Sequence, residues 1–481
     1  MWARHPTPHV GGWRKEWGLL CLVALLALPL FTPRLYASDE IKYFVHLRSL
    51  YFDGDLQFAN EYEHFIERDP VAHAGLVPFL EEVTSTGHRL NDAPIGSALL
   101  WAPFYAVADL SVVAARWMGS SVPRDGYSWP YVFAVCLGSL LYGMAGLFLI
   151  YRLCREYVAP GPAKTAVFGI WFATPVVFYL YITPPMAHAN SLFTVTLFLF
   201  LWHQTRDDRR LIEWGLLAVS TGLMVLVREL NWLFLLVLVV DELGGMWAAL
   251  RRNRLHLGGS SGAAGSRWVD ILGLRQRISG YITFGIVLTM MVLPQFITYK
   301  VLHDTYGPTP FVVKKFSLIP WHAAEVLFSG FHGLFSWAPV TLLGALGLLA
   351  LARRDGRLAL ALALVFAAQV AVVGSYDTWP GGASFGARRF INCMPIFALG
   401  LAAAIDSVRP TAQRSAALLV ALLIVWNLGL AVQYATGIIP RDQPVTMRTI
   451  ATNQFVEVPS KLADIAWRFL YDRSSFYQTR S

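Results

Sequence analysis

Asp39 and Glu40 are adjacent acids that follow closely on an uncharged run from Trp17 to Pro33. Carboxylates held at the mouth of a hydrophobic helix suit three tasks. They can take a proton from a hydroxyl, hold a divalent metal, or stabilise positive charge in a transition state. The same pair also suits the first turn of a helix, where acids oppose the helix dipole. Downstream, "YFDGDLQFANEY" (51–62) adds Asp53, Asp55 and Glu61, with Gly54 between two acids as in a turn. In "NDAPIGSALLWAPFY" (91–105), Asn91 and Asp92 precede an apolar segment, again a helix-cap position.

Three further stretches carry chemistry-bearing side chains. His188, in "PPMAHAN", stands where a loop meets an apolar run; such a residue either packs at the interface or acts as ligand or acid/base. Arg228 and Glu229 interrupt two short apolar runs, Trp214–Val227 and Leu230–Val240. They form either the tip of a hairpin or a pair facing a cavity, and charge at membrane depth is costly enough to favour a role. "YDTWPGGASFGARRF" (376–390) combines Trp379 as an aromatic wall with Gly381 and Gly382 for close backbone approach. Its Arg388 and Arg389 can fork onto a phosphate; the other reading is anchoring to lipid headgroups.

The elements that must position these residues are membrane helices. Hydrophobic residues make up 56% of the 481, and Asp, Glu, Lys and Arg only 15%, against a usual charged share of about 25%. No charged residue occurs between Thr165 and Thr205, which is room for two spans of about 20 residues each. Other uncharged runs are Gly126–Tyr151, Ile278–Tyr299, Val326–Ala352, Leu358–Tyr376, Phe390–Ile405 and Ser415–Pro440. The expected fold is an all-α polytopic membrane protein with about 11 to 13 spans. The net charge of +8 resides in short loops, "TRDDRR" (205–210), "RRNR" (251–254), "ARRDGR" (352–357) and "DSVRPTAQR" (406–414). That is the positive-inside pattern rather than a nucleic-acid surface. Those loops are expected in the cytoplasm, and the loops bearing Asp39, His188 and Arg388 outside. Cys21, Cys136, Cys154 and Cys393 show no metal or disulfide spacing.

The N-terminus could be a cleaved signal peptide, but Pro33-Arg34 makes a poor cleavage region, so an uncleaved anchor is the better reading. The expected organisation is a membrane domain over 1–440, with a long outer loop at 34–93 and a flexible Gly/Ser-rich cytoplasmic loop at 242–277. An outer tail at 441–481 carries an amphipathic helix around Leu462–Leu470 that lies on the membrane or on the protein. One difficulty stands: if 93–110 crosses the membrane, the basic loop at 151–164 falls outside. Either that segment re-enters, broken near Pro103, or one orientation is wrong.

Together these stretches resemble the bacterial GT-C glycosyltransferases, including the protein O-mannosyltransferases and aminoarabinose transferases. The likeness rests on a first span, "SDE" opening a long outer loop, and about ten further spans. It also rests on "FDGDLQFANEY", "NDAPIGSALLWAPF", "PMAHAN" and "WPGGASFGARR". The resemblance implies transfer of a sugar from a polyprenyl-phosphate donor to a lipid, glycan or protein acceptor in the cell envelope. It implies an extracytoplasmic site at the bacterial inner membrane, with Asp39 as base or metal ligand and Glu40 completing the pair. A divalent ion is the one cofactor it suggests, with no metal ligands assigned. Arg388 and Arg389 are donor-phosphate candidates by charge and side. Asp53, Asp55, Asp92, His188, Arg228 and Trp379 complete the candidate substrate site. The chain departs from the mannosyltransferases in lacking a large soluble lumenal domain. The rival class is a transporter or flippase, which predicts paired repeats and acids at mid-membrane.

Overall fold

The computed structural model describes residues 10–256, 263–308, 315–317, 319 and 321–476. The longer helices are α1 (Val10–Ala27), α2 (Ser38–Arg48), α3 (Ala59–Arg68), α4 (Gly96–Trp117) and α5 (Trp129–Arg155). They continue as α6 (Pro160–Phe172), α7 (Val176–Tyr181), α8 (Ala187–Thr205), α9 (Leu211–Val227), α10 (Leu235–His256) and α11 (Ala263–His303). The last are α12 (Pro339–Ala352), α13 (Gly356–Gly374), α14 (Met394–Asp406), α15 (Pro410–Ala435) and α16 (Leu462–Tyr471). Proline in the first turn starts α5, α6, α12, α14 and α15, where its missing N–H costs nothing. Asp355 caps α13 by accepting from Leu358 N at 3.0 Å. Among the described residues the only extended pairings are two isolated bridges, Val83–Arg89 and Phe316–Tyr376.

Among the described residues, seven helices are long and apolar enough to cross a membrane by length and composition: α4, α5, the 229–248 stretch, the 277–303 part of α11, α13, the 388–406 stretch and α15. Their outward faces are apolar. Leu22, Leu25 and Leu26 of α1, Met290 and Leu293 of α11, and Leu418, Leu422 and Val425 of α15 are all exposed. A belt of that size is stable only against lipid, so the chain is an integral membrane protein.

The helices end on two distinct faces. On one, Glu16 takes a hydrogen bond from Tyr151 Oη (2.6 Å) and pairs with Arg155. There also Arg354 pairs with Asp406 at 2.7 Å, Arg206 with Asp241 and Asp355, and Arg209 with Glu242 at 2.6 Å. The short basic loops at 205–210, 352–357 and 406–409 therefore gather together. On the other face lie Arg34, Asp39, His188, Arg228 and Arg388. Eleven passes alternate between the faces among the described residues: α1, α5, α6 with α7, then α8 through α15 one by one.

α4 is not among them, although Pro103 lies inside it without breaking it. Just before its start, Asn91 Nδ2 donates to Lys42 O and His46 Nε2 bonds to Ala93 O, both at 3.0 Å. Beyond its end, Arg48 reaches Asp125 O, and α5 begins beside Arg34, whose carbonyl accepts from Cys136 Sγ. Both ends of α4 thus open on the Asp39 face. The apolar segment leaves and returns on one side, and the basic loop after α5 joins the other basic loops.

The stretch expected as a flexible 242–277 linker is helical on both sides of 257–262. α10 and α11 extend past the Glu16 face, tied there by Arg277 to Glu242 (2.8 Å) and Tyr281 Oη to Glu242 (2.7 Å); residues 257–262 lie outside the described ones. After α15 the chain folds back, with Gln433 donating to Gln454 Oε1 at 2.9 Å and Gln454 reaching Val425 O. α16 follows, with Leu462, Trp467, Leu470 and Tyr471 exposed. α12 and α14 cross in backbone contact, where a Cβ on Gly347 would fall 2.1 Å from Gly400 O. Small residues permit such crossings in lipid, where close packing replaces the hydrophobic effect.

Candidate active site

A cavity of about 410 Å³ opens on the Asp39 face. One wall comes from the first loop: Ser38, Asp39, Lys42, Pro78, Phe79 and Asp92. The opposite wall comes from two later loops, with Lys315, Thr378, Gly381, Arg388 and Arg389. Residues 309–314, 318 and 320 of the loop carrying Lys315 are outside the described ones.

Asp39 owes its place to the start of α2. Glu40 turns back and its Oε2 accepts from the backbone N–H groups of Tyr36 (2.7 Å) and Ala37 (3.0 Å), satisfying donors at the helix start. Glu40 is buried by this and does not line the cavity; burial raises its pKa. Asp39, one residue earlier, projects into the open space. Its Oδ1 lies 3.1 Å from Lys42 Nζ, and its Oδ2 lies 2.9 Å from Arg388 Nη2. Lys42 Nζ in turn reaches Asp92 Oδ1 at 2.6 Å. Burial alone would raise the Asp39 pKa, but Lys42 and Arg388 together hold it well below the usual carboxylate range. Burial would likewise lower the Lys42 pKa, and Asp92 with Asp39 outweighs it, so the ammonium stays charged.

The two arginines are carried by a short helical turn, 388–393, that precedes α14. Gly381 and Gly382, both left-handed (φ 78° and 63°), fold the preceding loop over them. Arg388 Nη2 also donates to Gly381 O at 3.1 Å, and Arg389 Nη2 to Thr378 O at 3.0 Å. The Arg389 guanidinium lies over the Tyr376 ring, 5.2 Å from its centroid. Around the cavity four cations, Lys42, Lys315, Arg388 and Arg389, face two carboxylates, Asp39 and Asp92. The balance favours an anion.

His188 and Arg228 stand behind the wall rather than in it. His188 opens α8 and is 5% exposed; Arg228 Nη1 donates to its Nδ1 at 2.5 Å, and its ring packs on Tyr179 at 4.7 Å. Both feel the charges of Asp39 and Arg388. Trp379 lies on the far side of the arginine turn, in a small pocket with His332, and its ring stacks with that of His322. Asp53 and Asp55 are not brought to the cavity. Asp53 pairs with Arg48 and accepts from Asn60 (2.9 Å); Asp55 accepts from Ser49 Oγ (2.7 Å) and Gln57 N (3.1 Å). They close a turn.

Sequence reasoning missed Lys42, Lys315 and Phe79. Lys42 carried a readable signal, since it falls three residues after Asp39 on one helix face. Lys315 and Phe79 reach the cavity only through tertiary packing.

The donor set does not fit a divalent ion at Asp39. Both carboxylate oxygens already face cations within 3.1 Å, and a metal there would meet two like charges. Among the described residues no group of three His, Cys, Asp or Glu side chains is arranged to hold a metal.

The chain shares the overall fold of a solved structure, ArnT from Cupriavidus metallidurans bound to undecaprenyl phosphate. The two align with a TM-score of 0.51 and 14% sequence identity, over 97% of this chain and 79% of that one. No family model matches the chain, and no curated protein matches it in sequence.

Proposed function

We propose that this protein is a membrane glycosyltransferase. It moves a sugar from a polyprenyl-phosphate donor to a lipid, glycan or protein acceptor at the face that carries Asp39. The observation that carries the reading is an acid, Asp39, held between Lys42 and Arg388 in a cavity at the end of the bundle whose cations outnumber its acids. The fold supports it, since the similar structure was solved with undecaprenyl phosphate. A polyprenyl phosphate is held well only where its phosphate stays at the membrane surface and its tail in lipid.

In this reading the donor phosphate sits against the four cations of the cavity, Lys42, Lys315, Arg388 and Arg389. The acceptor oxygen attacks the anomeric carbon and its proton passes to Asp39. The bond from that carbon to the phosphate oxygen breaks, and its electron pair stays on the departing polyprenyl phosphate. That monoester gains a negative charge, and the cationic wall stabilises it as it forms. Without substrate Asp39 is a weak base, clamped by Lys42 and Arg388. The arriving phosphate competes for those same cations and loosens the clamp, so the base is readied when the donor is bound. No metal is assigned a step.

The basic loops on the Glu16 face support the cytoplasmic membrane of a bacterium as the location, with the cavity facing outward. The deciding experiment is sugar transfer by purified protein in detergent, offered polyprenyl-phosphate sugars and an envelope extract. Without compartments, transport cannot register. Transfer supports the enzyme; no transfer from any such donor, with lipid flux in vesicles, would establish the transporter.

A further inference from the structure

Beneath the cavity the bundle holds a chain of side-chain amides in an otherwise apolar interior. Gln369 on α13 donates from Nε2 to Arg389 O at 2.8 Å and lies 3.4 Å from Asn392 Oδ1. Asn392 Nδ2 donates to Gln369 Oε1 (3.3 Å) and to Asn231 Oδ1 (3.1 Å). Asn231 also accepts from Ser191 Oγ at 3.0 Å and donates to Met224 O at 2.8 Å. All four side chains are buried: Gln369 and Asn231 are 0% exposed, Ser191 1% and Asn392 4%.

What the chain joins is informative. Asn392 belongs to the turn that carries Arg388 and Arg389. Asn231 belongs to the turn that follows Arg228, and its N–H donates to Arg228 O at 3.0 Å. Ser191 lies one helical turn after His188 on α8. A hydrophobic core would hold these elements together without fixing their register, because apolar contacts are not directional. Hydrogen bonds between amides are directional, and in a dry interior breaking one leaves both partners unpaired.

We infer that Gln369, Asn392, Asn231 and Ser191 are positioning residues, a buried amide chain that sets the separation between Arg228 and the Arg388–Arg389 pair. The inference rests on the proposed reading that Arg388 and Arg389 serve a lipid-linked phosphate. The chain touches no substrate. It acts through the backbone of Arg389, which Gln369 holds directly.

The test uses full-length protein in detergent with undecaprenyl phosphate as the probe. Gln369→Leu should weaken its binding about tenfold, the scale of one buried hydrogen bond. In an Arg388→Ala/Arg389→Ala background the same substitution should cost less than about twofold, since both guanidinium groups it positions are already gone. Gln369→Asn, shorter by one methylene but still polar, should weaken binding without lowering the thermal midpoint as Gln369→Leu does. A second readout needs no lipid: modification of Arg389 by phenylglyoxal, followed by peptide mapping, should speed up several-fold in Gln369→Leu. Equal losses in both backgrounds would mean general loosening and overturn the inference. So would wild-type binding together with a wild-type phenylglyoxal rate in both variants. If wild type fails to bind the lipid while Arg389 reactivity still responds to Gln369→Leu, the proposed function falls and the positioning role stands.

Discussion

Replacing Asp39 with Asn should move binding and turnover in opposite directions. The carboxylate now neutralises Arg388 at 2.9 Å and Lys42 at 3.1 Å, the cations a donor phosphate would seek. A phosphate bonded to Arg388 would lie roughly 6 Å from Asp39, where two unit negative charges at an effective dielectric of about 20 repel by about 3 kcal/mol. The Asp39 side chain keeps 38% of its surface open to the cavity, so solvent screening trims this to about 1–2 kcal/mol. Asp39→Asn should therefore bind undecaprenyl phosphate roughly five- to thirtyfold more tightly, by equilibrium binding in detergent at fixed ionic strength. The gain should shrink as salt is raised. Turnover should fall at least about a hundredfold, because the amide cannot take the acceptor proton. Weaker lipid binding in Asp39→Asn would refute the competition, and would mean that the clamp builds the phosphate site. Near-normal turnover would remove Asp39 as the base and leave Asp92, the other acid lining the cavity, as its replacement.

Two further outcomes follow from the geometry. Arg388→Lys keeps the charge but loses the planar guanidinium, whose Nη2 meets both Asp39 and Gly381 O while Nη1 reaches Met186 Sδ and which could fork onto a phosphate, so it should weaken undecaprenyl phosphate binding about tenfold. Arg389→Lys should cost less, and wild-type affinity in both variants would show that the fork is not needed. Away from the cavity, His46 is fully buried against Ala93 O, and burial lowers its pKa from 6.5 to about 4, with His303 adding repulsion. Below pH 6.5 the unfolded chain binds a proton that folded His46 refuses until about pH 4. Stability present above pH 6.5 is thus lost as pH falls through that window, by up to about 3 kcal/mol. His46→Gln, which can still donate to Ala93 O, should flatten the fall of the thermal midpoint between pH 6.5 and 4. An unchanged slope would clear His46.

Fold class was readable because lipid imposes long uncharged runs and sorts basic residues to one side, and both are properties of the chain alone. The number of passes was readable as the range 11 to 13, which holds the eleven seen among the described residues, but not which apolar segments make them. α4 has the length and hydropathy of a span, and only its contacts with α2 and α5 show that it turns back. Residues lining the cavity were legible where charge stands out against an apolar background, as with Asp39 and Arg388, while Arg228 stands out likewise but lies behind the wall. Local spacing was ambiguous where a polar residue serves its own backbone. Glu40 caps a helix, and Asp53 and Asp55 close a turn, which local spacing cannot separate from catalysis. The amide chain of Gln369, Asn392, Asn231 and Ser191 is spread over four distant segments, and nothing local marks any of them.

The course of α4 has a consequence for how the chain is made. A segment this apolar would be released sideways into the bilayer by any insertion machinery that reads hydropathy as it emerges. That would reverse every later pass and put the arginine turn on the wrong side. What marks it otherwise is Asp109, an acid near its middle. Asp109 is held by both the Nε (2.8 Å) and Nη2 (2.7 Å) of Arg124, and by the Tyr131 hydroxyl on α5 (2.7 Å). Arg124 and Tyr131 are made later than Asp109, whereas Tyr51, whose hydroxyl also donates to it at 3.2 Å, is made earlier, so the set is complete only once α5 has emerged. The pair of Arg124 with Asp109 that fastens α4 to the Asp39 face is therefore closed from a residue made after the helix itself.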